Sequence, residues 1–302
     1  MFIPPMQTLV IENWEEFRVF ENELRKFIKS LNSSPKIVEA LEYILLSGGK
    51  RVRPIIALVS GKMCGGSYEK LMNLAIAGEL LHTASLIHDD IIDGAELRRN
   101  VIPIHRKYGP AFAIVLGDWL ISKSVELTSV YGEKVIRESA IAGLEMCEGE
   151  IMDLNSKFER FEEGDYFECI KKKTAYAFAY MAKIACEITS GDSLAMEKLY
   201  TYGFNLGIAY QLVDDLLEYL DALNDKRSFL ESMTLPQIYA EKFGKRKAVE
   251  EILKLISSFA EKSLNALNYF PECEERKKLE KIVQIMTSEM LEKRLPLLKF
   301  PE

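Results

Sequence analysis

Two long stretches, 68–93 and 193–221, carry apolar residues on more than one face of the helix that their three- and four-residue periodicity predicts. A helix apolar on several faces has to be covered on several sides, so such segments belong at the centre of a helical bundle. The same periodicity runs through most of the chain and strict alternation is rare, which predicts helices at 12–31, 35–46, 52–64, 68–93, 107–130, 132–159, 165–190, 193–221, 234–243, 246–266 and 272–295. Breaks fall at Ser47-Gly48-Gly49, Gly65-Gly66-Ser67, Arg99 to Pro103, Tyr131-Gly132, Gly164, Ser190-Gly191-Asp192 and Phe270-Pro271. No linker, low-complexity tract or short-period repeat divides the chain, so residues 1–302 read as one domain. The expected architecture is all-α, a single large helical bundle.

Both central segments carry an acidic cluster. The first is His88-Asp89-Asp90-Ile91-Ile92-Asp93, and the second runs from Gln211 through Asp214-Asp215 to Glu218. Acidic residues are seldom buried unless they are paired or hold a metal. In each cluster the first and last acids are four residues apart, which stacks them on one helix face with Cβ atoms about 5–6 Å apart. Two carboxylates so placed suit Mg²⁺, which keeps several waters and takes further ligands from a substrate phosphate. A single such cluster more often marks a helix end or a solvated face. Here the apolar run Leu80 to Ile87 and the enclosed Ile91-Ile92 weigh against that reading. Asp89 and Asp93 are expected to face a cavity near a helix C-terminus, with Gly94 beginning the exit. Carboxylates there oppose the helix dipole, a cost that bound Mg²⁺ offsets. Asp214 and Glu218 form the matching pair, with Asp215 adjacent. Together the clusters point to a metal-clamped diphosphate between facing helices.

The net charge of −7 disfavours nucleic acid as a partner, so any anion site is local. Ser47-Gly48-Gly49-Lys50-Arg51-Val52-Arg53-Pro54 is a glycine turn feeding a basic helix start, a natural anion site, although it lacks P-loop spacing. Arg98-Arg99 follows the first cluster and offers planar donors to phosphate; away from the acids it would read as an exposed basic pair. Lys171-Lys172-Lys173 would ordinarily be solvated, but the small residues after it allow Lys173 and Thr174 to turn inward. His82, two turns before Asp89, shares its face; a lone helical histidine is more often a core residue. Five scattered cysteines without a CxxC pair fit free thiols in a reducing cytoplasm. The N-terminus does not read as a signal peptide. No uncharged apolar run approaches the roughly 18 residues that a membrane span needs.

GGKRVRP at 48–54, LLHTASLIHDDIID at 80–93, Arg98-Arg99, GDWL at 117–120, Lys173-Thr174, GIAYQLVDDLLE at 207–218 and TLP at 234–236 together resemble the trans-isoprenyl diphosphate synthase (polyprenyl synthetase) family. The resemblance implies a bundle of the isoprenoid synthase type with a central active-site cavity. It implies head-to-tail condensation of an allylic diphosphate with isopentenyl diphosphate, three Mg²⁺ ions held by two aspartate-rich helices, and a homodimer. By the same resemblance Asp89, Asp93 and Asp214 are the principal Mg²⁺ ligands, supported by Asp90, Asp215 and Glu218. Lys50, Arg53, His82 and Arg99 match positions that hold isopentenyl diphosphate. Arg98, Lys173, Thr174 and Gln211 match those that contact the allylic diphosphate. With Asp89, Asp93 and Asp214, Arg98 and Lys173 make up the catalytic set.

The sequence departs from the family pattern at three places. Glu218 stands where Asp is usual. The segment from Tyr219 to Met233 is short and lacks the usual Gly-Lys pairs, with Lys226 or Arg227 as substitutes. Asn100 to Pro103 replaces a glycine-and-proline turn. Two other readings stay open, a partner subunit of a hetero-oligomeric synthase and a class I terpene cyclase. GGKRVRP and Arg99 speak against the cyclase, which has no second diphosphate to hold. For product length, the small Ala84 and Ser85 precede Asp89, with Leu81 a turn deeper, where short-chain members carry an aromatic floor. The expected product is C20 or longer, leaning to C25 or above.

Overall fold

A computed structural model describes residues 10–98, 101–224 and 232–294. Among the described residues there are fourteen α-helices and no strand beyond a single bridge between Arg98 and Val101. Packing divides the chain into two compact units. One joins the residues up to Leu58 with Gly66–Ile136, and the other joins Val59–Gly65 with the residues from Arg137 onward.

The first unit holds α1 (Glu15–Ser30), α2 (Pro35–Leu45), the start of α3 (Val52–Met63), α4 (Tyr68–Ile92), α5 (Ile104–Tyr108) and α6 (Pro110–Thr128). α4 starts at Ser67, whose hydroxyl accepts from Lys70 N at 3.4 Å. As the sequence predicts, α4 is buried on most of its circumference. Leu80, Thr83, Ala84, Ile87 and Asp90 are buried, whereas Leu81, His82, Ser85, Leu86, His88, Asp89, Ile92 and Asp93 form a more accessible stripe. α6 lies close against α4. A Cβ added at Gly117 would sit 2.1 Å from His88 Nε2, so a larger residue there would push the His88 ring aside.

The turn from α2 into α3 bends through Gly48 and Gly49 and then Arg51, the one described non-glycine residue with positive φ, at 50°. Arg51 is only 3% exposed. Its Nε donates to Glu21 Oε1 at 2.7 Å, its Nη1 to Glu79 Oε1 at 2.5 Å, and its Nη2 to the Leu45 carbonyl. Burial alone would lower its pKa, but Glu79 and Glu21 outweigh that and raise it. Arg51 is therefore spent on tying α1, α2 and α4 together, and the basic run splits. Lys50 and Arg53, both half-buried, remain as the anion-site candidates.

The second unit holds nearly all of α7 (Glu133–Asn155), α8 (Glu163–Ile170), α9 (Tyr176–Thr189), α10 (Ser193–Asn224), α11 (Leu235–Phe243), α12 (Lys245–Leu267), α13 (Glu274–Met286) and α14 (Ser288–Arg294). α10 is the longest at 32 residues. Gly203 and Gly207 let α9 and the turn before it approach; a Cβ at Gly207 would lie 2.5 Å from Ala175 Cα. The buried Tyr202 of α10 donates to the Leu279 carbonyl at 3.1 Å, and Ser263 donates to the Tyr202 carbonyl at 2.8 Å.

Three expected helices differ in detail. The helix expected at 107–130 is two, because Pro110 disfavours helical backbone before it and Gly109 takes φ 92°. The one at 272–295 breaks at Thr287, whose hydroxyl bonds back to the Val283 carbonyl at 2.6 Å. The one at 165–190 contains a π turn over Lys171–Ala175, and that turn shapes the site.

Candidate active site

In the first unit, Asp89 is half-buried and Asp93 exposed, both on the accessible stripe of α4. The helix closes in a Schellman motif: Gly94 N donates to Ile91 O at 3.3 Å and Ala95 N to Asp90 O at 3.0 Å, with Gly94 at φ 60°. The expected exit at Gly94 is thus where the chain turns. That reversal brings Arg98 back to Asp90, whose Oδ1 accepts from Arg98 Nε at 2.7 Å. Asp90 is 1% exposed and points away from the stripe, toward its ion pair with Arg98. His82 and Ser85 are half-buried, and Ser85 Oγ donates to the His82 carbonyl at 2.9 Å. Leu81 and Ser85 lie below Asp89 on its stripe, whereas Ala84 is fully buried on the other side. Arg99 lies outside the described residues.

In the second unit, α10 buries Leu212, Val213, Leu216 and Leu217 and leaves Asp214 and Glu218 exposed on one face, with Gln211 half-buried beside them. Asp215 turns inward and is 7% exposed. Its Oδ2 accepts from the Tyr166 hydroxyl, and its Oδ1 from Gln211 Nε2 at 2.9 Å. Gln211 Oε1 in turn accepts from Thr174 Oγ1 at 2.7 Å. Burial pushes the Asp215 carboxyl up to about 7, against the pull of the Tyr166 and Gln211 hydrogen bonds.

Lys173 turns inward as expected, and it meets Glu150 Oε2 at 2.7 Å and Asp153 Oδ2 at 2.6 Å. Burial pulls its ammonium down, but Asp153 and Glu150 prevail and hold its pKa above the ordinary lysine range. The π turn inserts one residue into the helical phase and so aims Lys173 at α7 while Thr174 reaches α10. Such turns recur at functional sites. Lys172 pairs instead with Glu145 and Glu148.

Sequence reasoning missed Glu150, Asp153 and Tyr166. The first two stand one turn apart beside Gly149, a signal legible only once α7 is known to face the π turn. Tyr166 has no sequence signal, because the π turn resets the helical register between it and Lys173. Lys226 and Arg227 lie outside the described residues. The chain resumes with Met233 N on Ser156 Oγ at 3.2 Å and a capping box between Thr234 and Gln237 that starts α11.

Among the described residues no group of three metal-ligating side chains stands together. Each cluster instead offers two accessible carboxylates, all hard oxygen donors. That suits Mg²⁺, which is usually bound through one or two carboxylates plus substrate phosphates rather than by an all-protein cage. No helix among the described residues is long and apolar enough to cross a membrane.

Comparison with known proteins gives the family. The family model for polyprenyl synthetase matches residues 34–268. A geranylfarnesyl diphosphate synthase of Methanosarcina mazei is 42% identical over 282 residues, covering 93% of this chain and 95% of that one. The crystal structure of a geranyltranstransferase from Methanosarcina mazei superposes with a TM-score of 0.81 at 39% identity, over 93% of this chain and 99% of that one. A polyprenyl synthase from Caulobacter crescentus, solved with calcium and isoprenyl diphosphate, gives 0.80 at 28% identity, over 89% and 94%. With that match over most of its length, the chain belongs to the polyprenyl synthetase family and is a trans-prenyltransferase.

Proposed function

We propose that this enzyme joins isopentenyl diphosphate head to tail to an allylic diphosphate, giving an all-trans prenyl diphosphate of C25 or above. The observation that carries this is the placing of two accessible carboxylates on each of two otherwise buried helices, α4 and α10. Asp89, Asp93, Asp214 and Glu218 would hold magnesium, three ions in the loaded site, and Asp90 and Asp215 stand behind them. Bound magnesium supplies charge neutralisation at the departing diphosphate. Arg98 and Lys173 add preorganised positive charge there, and Glu150 and Asp153 keep Lys173 protonated and aimed. Thr174 and Gln211 contact the same diphosphate. Lys50, Arg53, His82 and Arg99 hold isopentenyl diphosphate. No side-chain base is assigned, because the departing diphosphate can itself take the final proton.

Both units serve one catalytic domain in this reading, since the family match runs through each of them. The enzyme works as a homodimer. Apolar residues left open on α6, Ile114, Val115 at 66%, Ile121 and Val125, support that assembly. Its five cysteines, all free thiols, fit the cytoplasm. The direct test is to incubate the purified chain alone with magnesium, labelled isopentenyl diphosphate and primers of several lengths, and to resolve the products. Linear products of C25 or more support the reading. No elongation, or elongation only when another subunit is added, overturns it.

The two diphosphates should be separable by kinetics. Lys50→Ala and Arg53→Ala are each expected to raise KM for isopentenyl diphosphate by about tenfold, a loss of about 1.4 kcal/mol, with less effect on the primer. Lys173→Ala should do the reverse or depress turnover. Equal effects on both substrates from all three changes would dissolve the assignment.

Product length supplies a further check. The relative named a geranylfarnesyl diphosphate synthase supports C25. Each helical turn is about 5.4 Å, close to one isoprene unit, and Ser85 then Leu81 lie one and two turns below Asp89. Ser85→Phe is expected to shorten products by one or more units, and Leu81→Ala to lengthen them. From sequence, Ala84 shares the floor position. Being fully buried, it should answer Ala84→Phe with a loss of about 1–3 kcal/mol of stability through overpacking. Chromatography of the products decides, and an unchanged distribution in both Ser85→Phe and Leu81→Ala places the floor elsewhere.

A further inference from the structure

Tyr166 lies in the apolar core of the second unit among Ile170, Leu212, Val213 and Leu216. A phenylalanine would fill the same space without a hydroxyl to satisfy. The hydroxyl instead begins a chain of three hydrogen bonds: Tyr166 to Asp215, Gln211 to Asp215, and Thr174 to Gln211. We propose that Tyr166 is a positioning residue for the prenyl transfer, acting through Asp215 to fix how Gln211, held from its other side by Thr174, meets the allylic diphosphate. The proposal rests on the reading of those two residues given above.

The direction of the chain follows from what each group can offer. Gln211 turns its Nε2 toward Asp215 Oδ1, donating at 2.9 Å, and this fixes which way its amide faces. Its Oε1 then faces Thr174, and the Thr174 hydroxyl hydrogen is drawn to it. The remaining Nε2–H of Gln211 is left as a donor for an anion. Tyr166 occupies the other carboxylate oxygen and so stops Asp215 turning about its Cβ–Cγ bond. Without that hydroxyl a buried oxygen loses its partner, the carboxylate can rotate, and the Gln211 amide loses the fixed acceptor that orients it. Asp90 holds Arg98 in the first unit in the same manner, through its Nε. In both clusters the second aspartate faces inward and holds a residue assigned to the allylic diphosphate.

The test is Tyr166→Phe in the full-length enzyme, with initial rates measured against each substrate while the other is saturating. KM for the allylic diphosphate is expected to rise about tenfold, and that for isopentenyl diphosphate to stay within about twofold. Loss of folded enzyme alone would lower turnover and leave both KM values in place, so the split separates positioning from stability. Gln211→Leu should raise the same KM, and the double variant should match Gln211→Leu to within about twofold, because both act on one chain. An unchanged allylic KM in Tyr166→Phe, equal shifts in both KM values, or effects that multiply in the double variant would overturn the proposal while leaving the allylic site standing. If Gln211→Leu and Thr174→Val both leave the allylic KM unchanged, the assignment of that site falls, and this proposal with it.

Discussion

Asp89→Ala and Asp214→Ala are each expected to lower turnover by about 10²-fold or more, the range for loss of preorganised charge stabilisation in a transition state. Each change removes one of two accessible carboxylates on its helix face, so metal affinity should fall with turnover, and magnesium titrations should show weaker dependence in both variants. The fold should hold. Neither side chain belongs to the buried core, and taking one negative charge from a like-charged row relieves repulsion. Melting temperatures equal to or above the parent's, together with the collapse in rate, are the expected pair of results. Near-parent turnover in either folded variant would show that its cluster does not serve the reaction.

The sequence makes those accessible carboxylates legible because helical phase carries them: acids four apart on an apolar helix have only one common face. That phase argument does not reach Lys173 and Thr174, which lie in the π turn; their sequence signal is the small residues that follow them. It fails wherever the backbone departs from regular geometry. Arg51 reads as one of three basic residues at an anion site, yet a left-handed φ of 50° folds it into the core against Glu21 and Glu79. Ala84 and Ser85 are neighbours in sequence but about 100° apart around α4, so one is buried and the other lies on the stripe. The partners of Lys173 come from α7, and no pattern within one helix announces which other helix will face it. Positions 99 and 225–231 lie outside the described residues, so Arg99 rests on the family resemblance alone, and Lys226 and Arg227 on the sequence where it departs from that pattern.

A single methyl group at Gly149 is expected to do nearly as much damage as losing Asp89 or Asp214. A Cβ there would lie 2.3 Å from Lys173 N, 2.7 Å from its Cα and 2.9 Å from the Lys172 carbonyl carbon. All three are backbone atoms, which cannot swing aside as a side chain can, and close-packed interiors pass such a push along. Either α7 moves off the π turn or the turn rewinds, and both outcomes carry the Lys173 ammonium away from Glu150 and Asp153. Displacing a catalytic group by about 1 Å can cost about 10²-fold in rate, and that is the expected loss for Gly149→Ala. Stability should fall too, by about 1–3 kcal/mol, as for other overpacked sites. The control lies on the same helix. A Cβ at Gly143 meets nothing within 4 Å, so Gly143→Ala should stabilise the protein by about 0.5–1 kcal/mol through helix propensity alone. It should also leave turnover as it was. Rates and melting curves for the two variants separate crowding at the π turn from any general intolerance of α7 to alanine. A Gly149→Ala enzyme with the parent's rate and melting temperature would mean that α7 does not set the position of Lys173.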